Sequence, residues 1–266
     1  MKRGQLLRLL RGVRLHRDIS TVIRQKILSH PAATRPVTYR LRGGPSLTLE
    51  SGSHDLWVLN EIWLDRSYAV VDGFIPKQGW VVYDLGAHKG VFSCWAATQM
   101  EVGRIYAFEP QPSNFDFLKL NTSQFSGIGF HMEQAAVGSS SGHVELFLDR
   151  EQSGLASIHH DRHSGYSESI SVPAIAFHEA IARAEAKIDL VKMDVEGAEH
   201  SILEETPSAV FDLIERIVME YHSRDPRDTK PSEPLQARLE SLGFSTLLRP
   251  DRSLLFASKS TTDLHL

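Results

Sequence analysis

The stretch Trp80-Val81-Val82-Tyr83-Asp84-Leu85-Gly86-Ala87-His88-Lys89-Gly90 restricts the fold of this chain more than any other. An apolar run ends in an aspartate, and two glycines follow with three residues between them. Val91-Phe92-Ser93-Cys94-Trp95-Ala96-Ala97 then reads as a helix. A strand, a tight turn and a helix N-terminus are therefore expected in succession. Glycine reaches backbone conformations that other residues avoid, and a helix N-terminus offers free N–H groups and a partial positive charge to a ligand.

The chain downstream repeats this alternation. Gly103 to Pro110 reads as a second buried strand that stops at Glu109 and Pro110. Pro112 to Asn121 follows as a helix, with proline near its start and Ser113 as a candidate cap. Ile128 to Val137 reads as a third strand, Ser139 to Gly142 as a turn, and His143 to Leu148 as an added strand. Residues 149–168 are polar and rich in Gly, Ser and His, and a loop of that length is usually functional or mobile. Ile170 to Ile175 is expected as a further edge strand and Ala176 to Ala186 as a helix. Ile188 to Asp194 forms a fourth strand, turning at Glu196-Gly197 into a helix from Ala198 to Glu205. Ile217 to Glu220 is a fifth strand. Asp225 to Pro234 is a charged, proline-rich loop, and Pro234 to Leu242 a helix ended by Gly243. Phe244 to Leu248 and Leu254 to Ala257 close the chain as a hairpin. The expected fold class is α/β. It is a Rossmann-like, doubly wound, mostly parallel seven-stranded sheet, with a C-terminal antiparallel hairpin and an N-terminal helical and hairpin extension. Such sheets bind ligands at the carboxyl ends of their strands.

Three units are expected: a basic amphipathic extension (1–35), a hairpin and helix acting as a lid (36–78), and the sheet domain (79–266). In the first, Lys2, Arg3, Arg8, Arg11, Arg14, Arg17, Arg24 and Lys26 face one acid, Asp18. Leu6, Leu9, Leu10, Val13, Val22, Ile23 and Ile27 recur there at helical spacing. A helix docked on the domain is the first expectation. Peripheral contact with an anionic membrane through residues 1–30, or with a partner, is the alternative, and a transit peptide is the third. In the second unit, Val37 to Arg42 and Leu47 to Leu49 pair across the Gly43-Gly44-Pro45-Ser46 turn, and Asp55 to Tyr68 carries a helical apolar pattern.

The formal charge of −4 gives no field that favours nucleic acid. The lone cysteine, Cys94, excludes an internal disulfide and any cysteine-built zinc cluster, and its apolar setting marks a buried thiol. No apolar run approaches the roughly 18–20 residues that cross a bilayer. The expected compartment is the cytoplasm.

Asp84, Glu109 and Asp194 each fall at a strand end. Glu109 lies 23 residues after Gly86, an offset at which an acid can accept hydrogen bonds from a ribose diol. A dinucleotide fold asks for G-x-G-x-x-G, whereas here three residues separate Gly86 from Gly90 and the third glycine is missing. The looser turn, starting from an acid, suits S-adenosylmethionine, which has an α-amino group and no pyrophosphate. NAD stays open at this point.

Asp84-Leu85-Gly86-Ala87-His88-Lys89-Gly90, Ala107-Phe108-Glu109-Pro110, Ala135-Ala136-Val137-Gly138 with Gly142, and Lys192-Met193-Asp194-Val195-Glu196-Gly197-Ala198-Glu199 resemble the successive motifs of the FkbM family. The resemblance spans roughly residues 55 to 222. It implies a class I methyltransferase that uses S-adenosylmethionine and acts on hydroxyls of natural products or glycans. It further implies that Gly86 and Gly90 hold the methionine end of the cofactor, that Glu109 meets the ribose and that Asp194 lies near the donor methyl. The cofactor set is completed by Asp84 and by His88, which stands where family members commonly carry asparagine and either meets the cofactor carboxylate or fills the turn. Glu133 and Gln134 are candidates for the adenine.

Transfer of a methyl to an alcohol needs an aligned acceptor oxygen and a base for its proton. Candidates for that chemistry are Asp194, Glu196 and His222, together with His159 and His160 in the long loop. Lys192 alternates with Asp194 and is a candidate inward partner for it. Asp194, Glu196 or Glu220 with His222 would suit Mg2+, although no metal ligand is assigned. The acceptor is expected to be a small molecule or glycan, held by the hairpin at 37–49 and the loops at 149–168 and 223–233. The rival readings are an NAD-dependent oxidoreductase and a non-catalytic nucleoside-binding or membrane-associated scaffold. Regiochemistry and oligomeric state carry no sequence signal.

Overall fold

The computed structural model describes residues 15–18, 20–21, 35–100, 103–149, 156–157, 166–223, 227 and 230–265. Most of the basic extension, and the candidate bases His159 and His160, lie outside the described residues.

Two short strands, β1 (Pro36–Arg40) and β2 (Ser46–Glu50), form an antiparallel hairpin with Pro36 opposite Glu50. Helix α1 (Asp55–Trp63) follows and then two 3-10 turns, Ser67–Ala69 and Asp72–Phe74. The helix expected from Asp55 to Tyr68 stops early. Arg66 adopts a left-handed φ of 49°, which turns the chain and carries Tyr68 inward.

The main sheet begins with β3 (Val81–Leu85), α2 (Val91–Gln99), β4 (Gly103–Phe108), α3 (Pro112–Thr122) and β5 (Ile128–Glu133). After them come β6 (Ala136–Gly138), β7 (Gly142–Asp149), β8 (Ala156–Ser157), β9 (Tyr166–Ala176) and α4 (Phe177–Ala182). The chain continues through β10 (Leu190–Met193), α5 (Glu199–Glu205), α6 (Ser208–Phe211), β11 (Arg216–Glu220) and α7 (Ser232–Ser241), and closes with β12 (Ser245–Arg249) and β13 (Leu254–Ser258). Seven strands lie in the order β12-β13-β11-β10-β3-β4-β5. All are parallel except β13, which pairs antiparallel with both β11 and β12. This is the expected doubly wound sheet with its closing hairpin.

All five residues of β3 are buried, as a central parallel strand covered on both faces requires. Alternate side chains enter two separate cores. Val82 packs in the cluster that holds Phe92 and Trp95, whereas Val81, Tyr83 and Leu85 pack in the cluster with Phe177 and Ile202. The rings of Tyr83 and Tyr106 stack at 4.7 Å, and Tyr106 on His131 at 4.6 Å.

The stretch Ile128 to Val137 is not one strand. It breaks after Glu133, and β6 leaves the main sheet to join a second sheet of order β6-β9-β7-β8. There β9 is no edge strand: β6 pairs with it on one side and β7 on the other. The helix after it, α4, ends at Ala182 rather than Ala186, and Glu185 turns left-handed at φ 48°. Ser113 makes no capping bond; the Glu109 carboxylate instead accepts the N–H of the cap residue Gln111 at 2.9 Å.

Candidate active site

A cavity opens at the carboxyl ends of β3, β4, β10 and β11, with α1 across from them. Gly86, His88, Glu109, Lys192, Asp194 and Glu196 line it, together with Glu61, Tyr68 and Glu220.

The turn after β3 is shaped by the protein's own backbone. Gly86 has φ 75°, and a Cβ there would stand 1.8 Å from the Asp194 carbonyl oxygen. A side chain is thus excluded by the neighbouring strand end. Gly90 has φ 77°, and its missing Cβ makes room for Leu118 of α3 at 2.7 Å. Gly90 therefore seats a helix and does not line the cavity. Between them His88 adopts φ 50° and donates its backbone N–H to Glu109 Oε2 at 2.8 Å. Glu109 accepts Gln111 N–H through its other oxygen. The Asn114 side chain hydrogen-bonds it as well, yet burial outweighs these bonds and lifts its pKa to about 7. The His88 ring lies 3.7 Å from Asp55 Oδ1. Burial lowers its pKa to about 4, which leaves it neutral at neutral pH.

Behind the turn, Lys89 is fully buried and held by Glu50 and Asp55, each at 2.7 Å. Three elements, β2, α1 and the glycine turn, meet on one ammonium.

Asp84 is also fully buried and stands away from the cavity. It accepts Ser93 Oγ at 2.6 Å and pairs with Lys192 at 3.2 Å. The acid expected among the cofactor ligands is thus the counter-ion of Lys192. Lys192 reaches 3.6 Å from Asp194 and donates to the Gly86 carbonyl at 2.7 Å. Burial opposes its charge, but Asp84 and Asp194 outweigh that and raise its pKa. The ammonium therefore ties the first turn to the fourth. Asp194 is further fixed by Tyr68, whose hydroxyl donates to Oδ2 at 3.1 Å and lies 3.4 Å from Glu220 Oε2. Burial, then the charge of Asp194, raises the Glu220 pKa to about 8.

His222 is set back from the cavity wall. Its Nδ1 is 2.9 Å from Glu199 and its Nε2 3.4 Å from Glu196. Burial works against its charge, yet the Glu199 hydrogen bond and the charges of Glu199, Glu196 and Asp194 raise its pKa to about 10. At neutral pH it carries its proton, which does not suit the free base expected of it. Glu133 and Gln134 do not reach the cavity either: Glu133 pairs with Arg183 at 3.5 Å on the surface, and Gln134 is exposed. Pro110, Ala136, Val137 and Leu146 line the cavity in their place. The sequence reading missed Tyr68 and Glu61. Their only signal was an apolar pattern in the segment before the sheet.

The family model of the methyltransferase FkbM domain matches residues 84–246. The chain belongs to the FkbM methyltransferase family. Within the FkbM methyltransferases it is 26% identical over 216 residues to the 31-O-demethyl-FK506 methyltransferase of Streptomyces tacrolimicus, covering 71% of this chain and 82% of that one. It is 30% identical over 151 residues to a hexuronic acid methyltransferase of Haloferax volcanii, covering 56% and 59%. Among solved structures, the fibrillarin pre-rRNA processing protein of Methanococcus jannaschii aligns at TM-score 0.46 and 14% identity, over 87% of this chain and 84% of that one. An S-adenosylmethionine-dependent methyltransferase is the activity that follows from FkbM membership, and the NAD-dependent reading falls away. The chain's residues fit that cofactor: the Glu109 carboxylate, an acceptor on the cavity wall, stands beside the glycine turn and an apolar slot of Pro110, Ala136, Val137 and Leu146. As for metals, Asp194, Glu196 and His222 each offer a ligand atom within 4.8 Å of the others. No described helix is long and apolar enough to cross a membrane.

Proposed function

We propose that the chain is an O-methyltransferase acting on a hydroxyl of a small molecule or sugar. The observation that carries this reading is Asp194, a carboxylate on the cavity wall fixed by Lys192 and Tyr68 and flanked by Glu220. A carboxylate held in place is suited to accept the proton that an alcohol loses on methylation. The names of the two relatives, one a 31-O-demethyl-FK506 methyltransferase and one a hexuronic acid methyltransferase, support the acceptor class.

In this reading Gly86 and the His88 backbone shape the seat of the methionine end, and Glu109 accepts the ribose hydroxyls. Pro110, Ala136, Val137 and Leu146 take the adenine that Glu133 and Gln134 were expected to meet. S-adenosylmethionine, when bound, supplies an electrophilic methyl on a sulfonium. Asp194 receives the acceptor proton, and Tyr68 and Lys192 hold its carboxylate still. Glu196 fixes the imidazolium of His222, which in turn balances the carboxylates beside it. That imidazolium already supplies the positive charge a metal would bring, so turnover is expected to survive EDTA; loss on chelation with recovery on adding Mg2+ would assign the cation instead.

Calorimetry with S-adenosylhomocysteine, followed by transfer of labelled methyl to a panel of alcohols, tests the whole reading. Binding of NAD without any binding of S-adenosylhomocysteine would overturn it. Methylation of amines but not alcohols would move the reaction from oxygen to nitrogen.

A further inference from the structure

One wall of the cavity comes from outside the matched family domain. His54, Trp57, Val58 and Glu61, at the start and along one side of α1, are spaced three or four residues apart and so share one helical stripe. All four line the cavity, and all precede residue 84, where the family match begins. Trp57 is 50% exposed. Of the described large apolar side chains only Leu120 and Leu213 are similarly open, and neither lines the cavity. An indole left half in water at the mouth of a cavity gains by being covered, and its flat face suits a ring.

The charge of the same space is one-sided. Glu61, Glu109, Asp194, Glu196 and Glu220 line it, against a single lysine, Lys192, and the side chains of His54 and His88. The described cations nearby are already engaged: Lys192 with Asp84 and Asp194, His222 with Glu199 and Glu196. No described cation forms an ion pair with Glu61 or Glu220, and Arg252 acts on Glu61 only from beyond that distance. Both carboxyls have raised pKa values, first through burial and then, among the charges that raise them, through Asp194. Glu220 keeps its proton at neutral pH and adds no charge there, so the negative charge a ligand meets is that of Glu61, Asp194 and Glu196, and a carboxylate accepts hydrogen bonds and donates none. A ligand that brings donors suits these carboxylates, while one that brings a further anion meets no described cation that is not already engaged, and adds repulsion.

We infer that the acceptor is an uncharged or amine-bearing polyhydroxylated ring, stacked on Trp57 with hydroxyl or ammonium donors to Glu61 and Glu220, and that the site rejects anionic rings. The inference rests on the O-methyltransferase reading and adds the charge of the acceptor and the residues that select it. It sets this chain apart from its relative named for hexuronic acid.

The test uses the full chain saturated with S-adenosylhomocysteine, so that a failure to bind that nucleoside would count against the reading above and not against this one. Methyl glucoside, methyl glucosaminide and methyl glucuronide, which share one ring and differ in charge, are titrated into the millimolar range while tryptophan fluorescence is followed. The neutral and amino rings are expected to change the signal, the change is lost in Trp57→Phe, and the glucuronide binds at least tenfold more weakly. Glu61→Gln narrows that gap several-fold by removing repulsion, with its own melting curve as the control for folding. Equal or tighter binding of the glucuronide overturns the charge selection. A response that persists in Trp57→Phe, or no response to any of the three rings, overturns the stacking role.

Discussion

Glu220 shows how one residue sets a response to pH. Its pKa of about 8 lies above the usual 4.5 of a glutamate. Between those values the folded chain keeps a proton that the unfolded chain has lost, so stability falls as pH rises through that window. Glu220→Gln removes this contribution. The variant is expected to gain on the wild type by about 1–2 kcal/mol on moving from pH 5 to pH 9, read as the difference between urea unfolding curves. Parallel curves at both pH values would mean that the carboxyl is not held protonated. At Asp194 the expectation is kinetic. Asp194→Asn should lower kcat by roughly 10²–10⁴-fold while S-adenosylhomocysteine affinity changes little in calorimetry; equal losses in both would make Asp194 a binding group. Asp194 and Glu109 were legible in the sequence because each ends an apolar run and sits at a turn. Tyr68 was not legible, since its role depends on the left-handed Arg66 and on a contact 126 residues away. The charge state of His222 was hidden for a similar reason: it is set by Glu199 and Glu196, whose approach depends on how the fourth turn folds against β11.

Among the elements, the two turns at the ends of β3 and β10 interlock. Gly86→Ala places a methyl against the Asp194 carbonyl and forces a positive φ on alanine. A loss of about 3 kcal/mol or more is expected, measured by denaturant unfolding; a variant of wild-type stability would show that the turns can part without loss. The ammonium that joins β2 and α1 to the first turn makes a second case. Lys89→Met leaves Asp55, fully buried, without its cation. That change is expected to destabilise by roughly 3–5 kcal/mol, and adding Asp55→Leu should recover part of the loss. If the double variant were no better than the single, packing and not charge would explain the effect. The strands of the main sheet could be read in order because buried parallel strands are continuous apolar runs. The second sheet could not. Nothing local in Ile128 to Val137 tells that the chain changes sheets after Glu133, and the place of β9 between two partners is a property of pairing, not of its own pattern.

At the scale of the molecule, the last described residues reach back to the segment that precedes the sheet. Asp263 packs against Gly73, where a Cβ would meet it at 2.4 Å, and it pairs with Arg216 at 2.8 Å and accepts Ser258 Oγ at 2.8 Å. The last residues therefore brace the 3-10 turn that follows Tyr68. Deleting residues 261–266 should lower the melting temperature by about 3–10 °C, and an unchanged melting curve would remove this brace from the account. Fold class and cofactor were legible at this scale because the alternation of strands and helices repeats across the whole domain. The acceptor side was not, because it is assembled from segments whose own sequences follow no repeating rule.

The segment that supplies α1 to the cavity wall, residues 36–78, shares one apolar core with the family domain: Tyr39, Leu47, Leu59 and Phe74 pack in the same cluster as Val82, Phe92 and Trp95. Glu50 and Asp55 grip Lys89, and Tyr68 reaches Asp194. An acceptor preference built on α1 is therefore no detachable cassette: moving it between relatives means carrying the buried side chains of that core, and Asn121 of α3, which binds the backbone of Thr48 in β2. Design of a new acceptor preference on this scaffold would change the cavity-facing side chains of α1 and leave that shared core in place.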